Sequence, residues 1–317
     1  MSPIKFLSQL SSRCRSTLLL LGLRPAVGGL LIACIVALAT PSVVLADASD
    51  DAYQLAAGFY KKERWDLASD AFQKFIKQYP TSPRVATARF FLGLAQVNTG
   101  DYKGARDTLR IFLQEAPMSR NVGHAIYRIA ESSYLLDDFA RAEPELTTFI
   151  TKYPEDPLVE RALPYLADVQ LRVNKVDVAL KTFQDALKKF PAGPMAEDCE
   201  FGIAKCYEAQ KKYQPTLEIY TRLAAKKDSE RAPEAQLNLG NRLYDLDQFD
   251  KAAAAFAKLE QAFPQSPLIP IARLNHGFSL FEVSLYAQAA EQFAIAEKDP
   301  KQVVEAGYWR GRCLSSL

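Results

Sequence analysis

A period of 37 residues constrains this chain more than any other feature. An aromatic recurs at Trp65, Tyr102, Phe139, Tyr213, Phe249 and Tyr286, with Val176 standing in once; the intervals are 37, 37, 37, 37, 36 and 37. Three residues after each comes a small side chain: Ala68, Ala105, Ala142, Ala179, Thr216, Ala252 and Ala289. Four further on comes a large one: Phe72, Leu109, Leu146, Phe183, Tyr220, Phe256 and Phe293. A proline closes the unit at Pro80, Pro117, Pro154, Pro191 and Pro264, and one residue out of phase at Pro300. Upstream sit Ala56, Gly93, Ala130, Ala167, Ala204, Gly240 and Gly277. A fixed period of this size marks an array in which each unit buries its apolar face against its neighbours.

Each unit reads as two helices. Apolar residues fall three and four apart, as in Phe72/Phe75/Ile76 and Leu239/Leu243/Leu246. The small residues let two helices cross closely. The aromatic opens the second helix, and the closing proline stops it. Ser82-Pro83, Asp156-Pro157, Gly193-Pro194 and Ser266-Pro267 predict a cap followed by proline in the first turn of the next unit. Pro144 and Pro164 lie deeper in their helices and predict kinks rather than breaks. The fifth unit lacks its closing proline, and residues 226–231 are expected to be a polar hinge. An eighth unit begins near Val304 and reaches Leu317 before a second helix. That last helix is expected to belong to a longer array, or to be covered by a partner or a second copy.

The pattern resembles the tetratricopeptide repeat, whose signature is a small residue near position 8, Ala at 20, a large apolar residue at 24 and Pro at 32. The resemblance covers about residues 49–300, with units three residues longer than the usual ~34. It implies an all-α, right-handed superhelix (an α-solenoid) of about seven helix-turn-helix repeats, plus the first helix of an eighth, over residues 47–317. It also implies a concave face lined by the first helix of each repeat. The family's ligand positions there hold Tyr53, Tyr60, Phe90, Phe91, Asn98, Tyr127, Arg128, Glu131, Tyr134, Tyr165, Asp168 and Arg172 in repeats one to four. In repeats five to seven they hold Phe201, Lys205, Glu208, Asn238, Asn241, Tyr244, Asn275, Phe278 and Phe281. The aromatics read either as anchors for a peptide or as packing between repeats. Arg128 and Arg172 either meet acidic ligand side chains or neutralise Glu131 and Asp168 across adjacent helices.

Residues 1–46 carry Lys5, Arg13, Arg15 and Arg24, no acidic residue, an apolar run from Ala26 to Ala39, and small residues at Val44 and Ala46. This is the secretory pattern, with cleavage expected after Ala46. A lipid-bearing Cys34 and an uncleaved anchor stay open as alternatives. Cys199, Cys206 and Cys313 then remain in the exported chain and are expected to be small buried apolar residues, with Cys313 also a candidate crosslinking point. The periplasm or cell envelope is the expected location. The inter-repeat turns, such as residues 149–157, look like those of bacterial envelope proteins. The chain is thus similar in class to the Tol-Pal-associated and outer-membrane-assembly repeat proteins.

Lys and Arg number 39 against 37 Asp and Glu, a net charge of +2, which leaves no basic excess for a nucleic-acid backbone. His124 and His276 are four repeats apart, too far to share a metal. No serine, cysteine or histidine spacing supports catalysis, and no glycine-rich phosphate loop occurs. No enzyme, cofactor or metal is expected. The reading is a non-catalytic protein-protein interaction scaffold with a peptide or protein partner. Membrane contact would come through the leader alone, and self-association through the C-terminal helix is possible. The alternatives are a cell-wall or glycan-binding module, and the N-terminal fragment of a larger repeat assembly.

Overall fold

The computed structural model describes residues 48–226 and 228–317; the expected leader, residues 1–46, lies outside them. The described residues form fifteen helices and no strand. Repeat one is α1 (48–61) and α2 (Trp65–Gln78); repeat two is α3 (Val85–Thr99) and α4 (Tyr102–Glu115). Repeat three is α5 (Val122–Leu135) and α6 (Phe139–Lys152); repeat four is α7 (Val159–Arg172) and α8 (Val176–Lys189). Repeat five is α9 (Ala196–Ala209) and α10 (Tyr213–Ala224); repeat six is α11 (Ala232–Asp245) and α12 (Phe249–Ala262). Repeat seven is α13 (Ile269–Glu282) and α14 (Tyr286–Ala296), and α15 (Val303–Ser316) opens an eighth. Each recurring aromatic, and Val176, is the first residue of a second helix.

The core follows the period. The small residues from Ala68 to Ala289 are all fully buried. So are Phe72, Leu109, Leu146, Tyr220, Phe256 and Phe293, with Phe183 at 3% exposure. Each such large side chain contributes about 1.5–3 kcal/mol of burial. A Cβ on Gly93 would meet Leu109 at 2.5 Å, one on Gly240 would meet Phe256 at 2.5 Å, and one on Gly277 would meet Phe293 at 2.7 Å. Close crossing is therefore what the small residues permit. In α15 the corresponding Gly311 has nothing within 4 Å, and Val304 and Tyr308 are exposed beside it.

Turns repeat as faithfully as helices. Two residues before each second helix the backbone is left-handed: φ is 56° at Glu63, 83° at Gly100, 54° at Asp137, 62° at Asn174, 57° at Lys211, 57° at Asp247 and 61° at Ser284. Glycine fills this position once in seven, and the other six residues bear the steric cost. Between repeats, the residue before the closing proline leaves the helical region, with φ −126° and ψ 58° at Tyr79 and φ −134° and ψ 56° at Phe263, since the proline ring disfavours helical backbone there. The caps differ from expectation. Ser82, Asp156 and Ser266 accept from the N–H two residues on, and the helices begin only after Pro83, Pro157 and Pro267. The side chains therefore close a turn ahead of the helix instead of capping it. α6 and α7 run unbroken through Pro144 and Pro164.

First helices touch their counterparts two elements along: α3 with α5, α5 with α7, α7 with α9, and α11 with α13. Second helices make no such close pairs among the described residues, so the first helices form the shorter, inner wall. α9 and α11 approach less closely, where α10 is only 12 residues long. Polar contacts tie down the connection there. Lys226 Nζ lies 3.1 Å from Glu197, Ser229 Oγ donates to Glu197 (2.5 Å), and Arg231 Nε donates to Asp198 (2.6 Å). The expected hinge is thus pinned to α9.

Candidate functional site

The inner wall divides into two registers. Tyr53, Phe90, Tyr127, Pro164, Phe201, Leu237 and Leu274 occupy one, and all are buried. Tyr53 packs edge-on against Phe72 and Phe75, while Phe90 and Tyr127 pack at a tilt against Phe112 and Phe149. Tyr53, Phe90 and Tyr127 are therefore interior side chains and not the partner contacts their repeat position suggested. Glu131 is likewise buried. It accepts from the Tyr127 hydroxyl (2.9 Å), a buried donor that would otherwise be stranded, and from half-buried Arg128 (2.6 Å). The neighbouring register, which includes Phe91, Arg128, Tyr165, Asn238 and Asn275, stays half-buried and faces the wall's surface.

The two arginines resolve by geometry. Arg128 pairs with Glu131 three residues on, and Arg172 Nε donates to Asp168 Oδ2 at 2.6 Å. Both pairs lie within one helix, not across adjacent ones. The Asp168 hydrogen bond holds the Arg172 guanidinium above its ordinary range. Arg128 also donates to His124 Nε2 (3.2 Å), and burial followed by the Arg128 charge lowers the His124 pKa. His276 Nδ1 lies 3.0 Å from Glu260 Oε1.

Six of the expected residues converge, Phe201 among them. Tyr134, Tyr165, Asp168, Arg172 and Lys205 line a depression of about 210 Å³ together with Phe183, Phe201, Gly202 and Arg231. The Tyr134 and Tyr165 rings stack with centroids 4.6 Å apart, and the Tyr134 hydroxyl donates to Asp168 (2.9 Å). Burial pushes the Tyr165 phenol up. Ion pairs span the α9–α11 opening: Lys205 to Glu234 at 3.7 Å and Arg242 to Glu208 at 3.2 Å. Sequence reasoning missed Gly202, Arg231 and Glu234. Gly202 was legible as the one small residue in a register of large ones, and the other two sit outside the family's ligand positions.

A second depression of about 200 Å³ gathers Asn241, Tyr244 and Asn275 over Phe256 and Phe278. The Asn275 amide donates to Asn241 Oδ1 at 2.8 Å. Asn238 is half-buried one turn earlier. Tyr60 stays apart from both depressions, packed on Trp65 and Phe91. Trp65 itself is an interhelical filler.

Among the described residues no group of three His, Cys, Asp or Glu side chains is placed to hold a metal. No helix there is long and apolar enough to cross a membrane. Cys199, Cys206 and Cys313 are free and buried, as small apolar residues. Burial pushes the Cys199 and Cys206 thiols up to about 12. Cys313, fully enclosed, presents no crosslinking thiol.

The tetratricopeptide repeat model matches residues 53–119, 127–194, 165–226 and 217–267, more than half of the chain. The chain belongs to the tetratricopeptide repeat family. Among solved structures it is similar to a tetratricopeptide repeat protein from Parabacteroides merdae ATCC 43184, with TM-score 0.59 and 15% identity over 84% of this chain and 99% of that one. It is also similar to the APC/C hetero-tetramer Cut9-Hcn1, with TM-score 0.52 and 12% identity over 82% of this chain and 54% of that one. MamA from Desulfovibrio magneticus RS-1 aligns with TM-score 0.49 and 15% identity, over 57% of this chain and 97% of that one. At these identities the likeness is one of fold. No curated protein matches the sequence significantly.

Proposed function

We propose that this tetratricopeptide repeat protein is a non-catalytic scaffold that binds a protein or peptide on its inner wall. The carrying observation is the convergence of Tyr134, Tyr165, Asp168, Arg172 and Lys205 around one depression between repeats three and six. Tyr and Arg together are the residue types that dominate protein-binding hot spots. Asn241, Tyr244 and Asn275 supply a second contact further along the wall. The envelope location rests on the sequence of residues 1–46, and fractionation of cells carrying the tagged chain tests it: a cytoplasmic pool alone refutes it. A photo-crosslinker at Lys205 tests the site, with one at Lys181 on α8 as control. A defined protein captured from Lys205 and absent from Lys181 supports the scaffold, and equal capture from both positions refutes it.

A second interface has its own support. On α15, Val304 and Tyr308 are exposed one turn apart and open space lies over Gly311 on the next turn, so one helix face is apolar and uncovered. Two copies related by a two-fold axis would cover this face in each other. Sedimentation of the chain and of Tyr308→Lys tests self-association: a dimer that the substitution dissociates supports it, and a monomer at all concentrations refutes it.

A further inference from the structure

One position of the inner wall breaks its own pattern. The outward register carries Gln54, Phe91, Arg128 and Tyr165, then Asn238 and Asn275 in the last two repeats. In repeat five it carries Gly202. Six repeats project a side chain there and the fifth leaves a notch, which is the depression between α7 and α9. Phe183 rises directly beneath it: a Cβ on Gly202 would meet the ring's Cε1 and Cε2 at 2.6 Å. Glycine thus opens the notch and lets an aromatic ring form its floor.

The chemistry of the rim narrows what can enter. Lys205 Nζ stands 4.9 Å from the Phe201 ring centroid, and Arg231 Cζ stands 5.4 Å from it. Asp168 is engaged by Arg172, Asp198 by Arg231, and Glu234 by both Arg231 and Lys205. Three carboxylates face three cations, so an entering charge would have to displace a partner from an existing pair. An entering ring displaces none. It meets Phe183 below, the Tyr134–Tyr165 stack beside it, and cations already poised over aromatic faces. At about 210 Å³ the notch is smaller than the ~300–1,000 Å³ of pockets that hold whole small-molecule ligands. It suits a single side chain.

We infer that Gly202 creates an anchor pocket for one aromatic side chain of an extended polypeptide ligand. This rests on the scaffold reading above and assigns the ligand's class. The test is selection of a random peptide display library on the full chain. The expected result is a set of peptides sharing one Phe, Tyr or Trp. Replacing that residue by Leu in a selected peptide should weaken binding about tenfold, as should Lys205→Ala or Tyr165→Leu in the protein. Gly202→Ser should abolish binding, but it presses on Phe183, so its thermal unfolding is measured beside it. The two rim variants, which leave the floor intact, decide if it fails to fold. Selected peptides that lack an aromatic, or that accept Leu in its place, overturn the aromatic anchor and leave the scaffold standing. Binders indifferent to both rim variants overturn the pocket. A library that yields no binders overturns both readings.

Discussion

Repeats three to five and repeats six to seven share one backbone plan and present opposite chemistries on the inner wall. The first group offers stacked tyrosines, ion pairs within single helices and a notch floored by Phe183. The second offers a carboxamide pair, Asn241 with Asn275, above Phe256 and Phe278. Behind both walls the core is the same: Leu146 and Phe256 fill the same space and are equally buried. The core is therefore written in one set of registers and the surface of the proposed binding wall in the next residue along. A change of one residue in register moves a side chain from interior to surface, as Tyr127 beside Arg128 illustrates.

Removing a buried acceptor should break the comparison most severely. Glu131→Ala strands the buried Tyr127 hydroxyl and removes one of the two partners of Arg128, and should cost about 1–3 kcal/mol in urea unfolding. The matched change in the amide region, Asn241→Ala, leaves only half-buried Asn275 without its partner and should cost about 1 kcal/mol or less. Equal losses would mean that the two walls are equally built-in.

Acid should sharpen the contrast by a smaller amount. Burial, then the Arg128 charge, holds the folded-state pKa of His124 below its unfolded value of 6.5. The unfolded chain then binds more protons, so stability should fall as pH drops below about 6.5. Melting temperatures across pH 8 to 5 should show that slope in the wild type, and His124→Gln should flatten it. An unchanged slope in the variant would remove His124 from the account.

The smallest effect should be common to both regions. Lys211→Gly in repeat five and Asp247→Gly in repeat six each relieve a left-handed residue at φ 57°, partly offset by the greater chain entropy of glycine. Each should raise stability by about 0.5 kcal/mol, read from urea midpoints. A gain in one repeat only would show that the turns, like the walls, have diverged.

Much of this was legible from the period. The helix pairs, the buried small and large positions and the stop at each proline follow from residues such as Ala142, Leu146 and Pro154. The site was harder. Repeat phase alone treats Tyr127 and Tyr165 as equivalent ligand contacts, yet one lies in the inward register and the other in the outward one. Arg231 and Glu234 enter the site from the start of α11 because α9 and α11 stand apart, a tertiary spacing no single repeat encodes. Caps also misled. Ser82 precedes Pro83 as an N-cap would, but its hydroxyl closes the preceding turn.

A helical array behaves as a spring, and its compliance is set at its weakest junction. Most junctions along the inner wall close by direct contact of first helices. The one between α9 and α11 is bridged by Lys205–Glu234, Arg231–Asp198 and Arg242–Glu208. Charge attraction is screened by salt, whereas apolar contact is not weakened by it. The compliance of this joint should therefore rise with ionic strength. The pitch of the superhelix, and the separation of its two inner depressions, would follow.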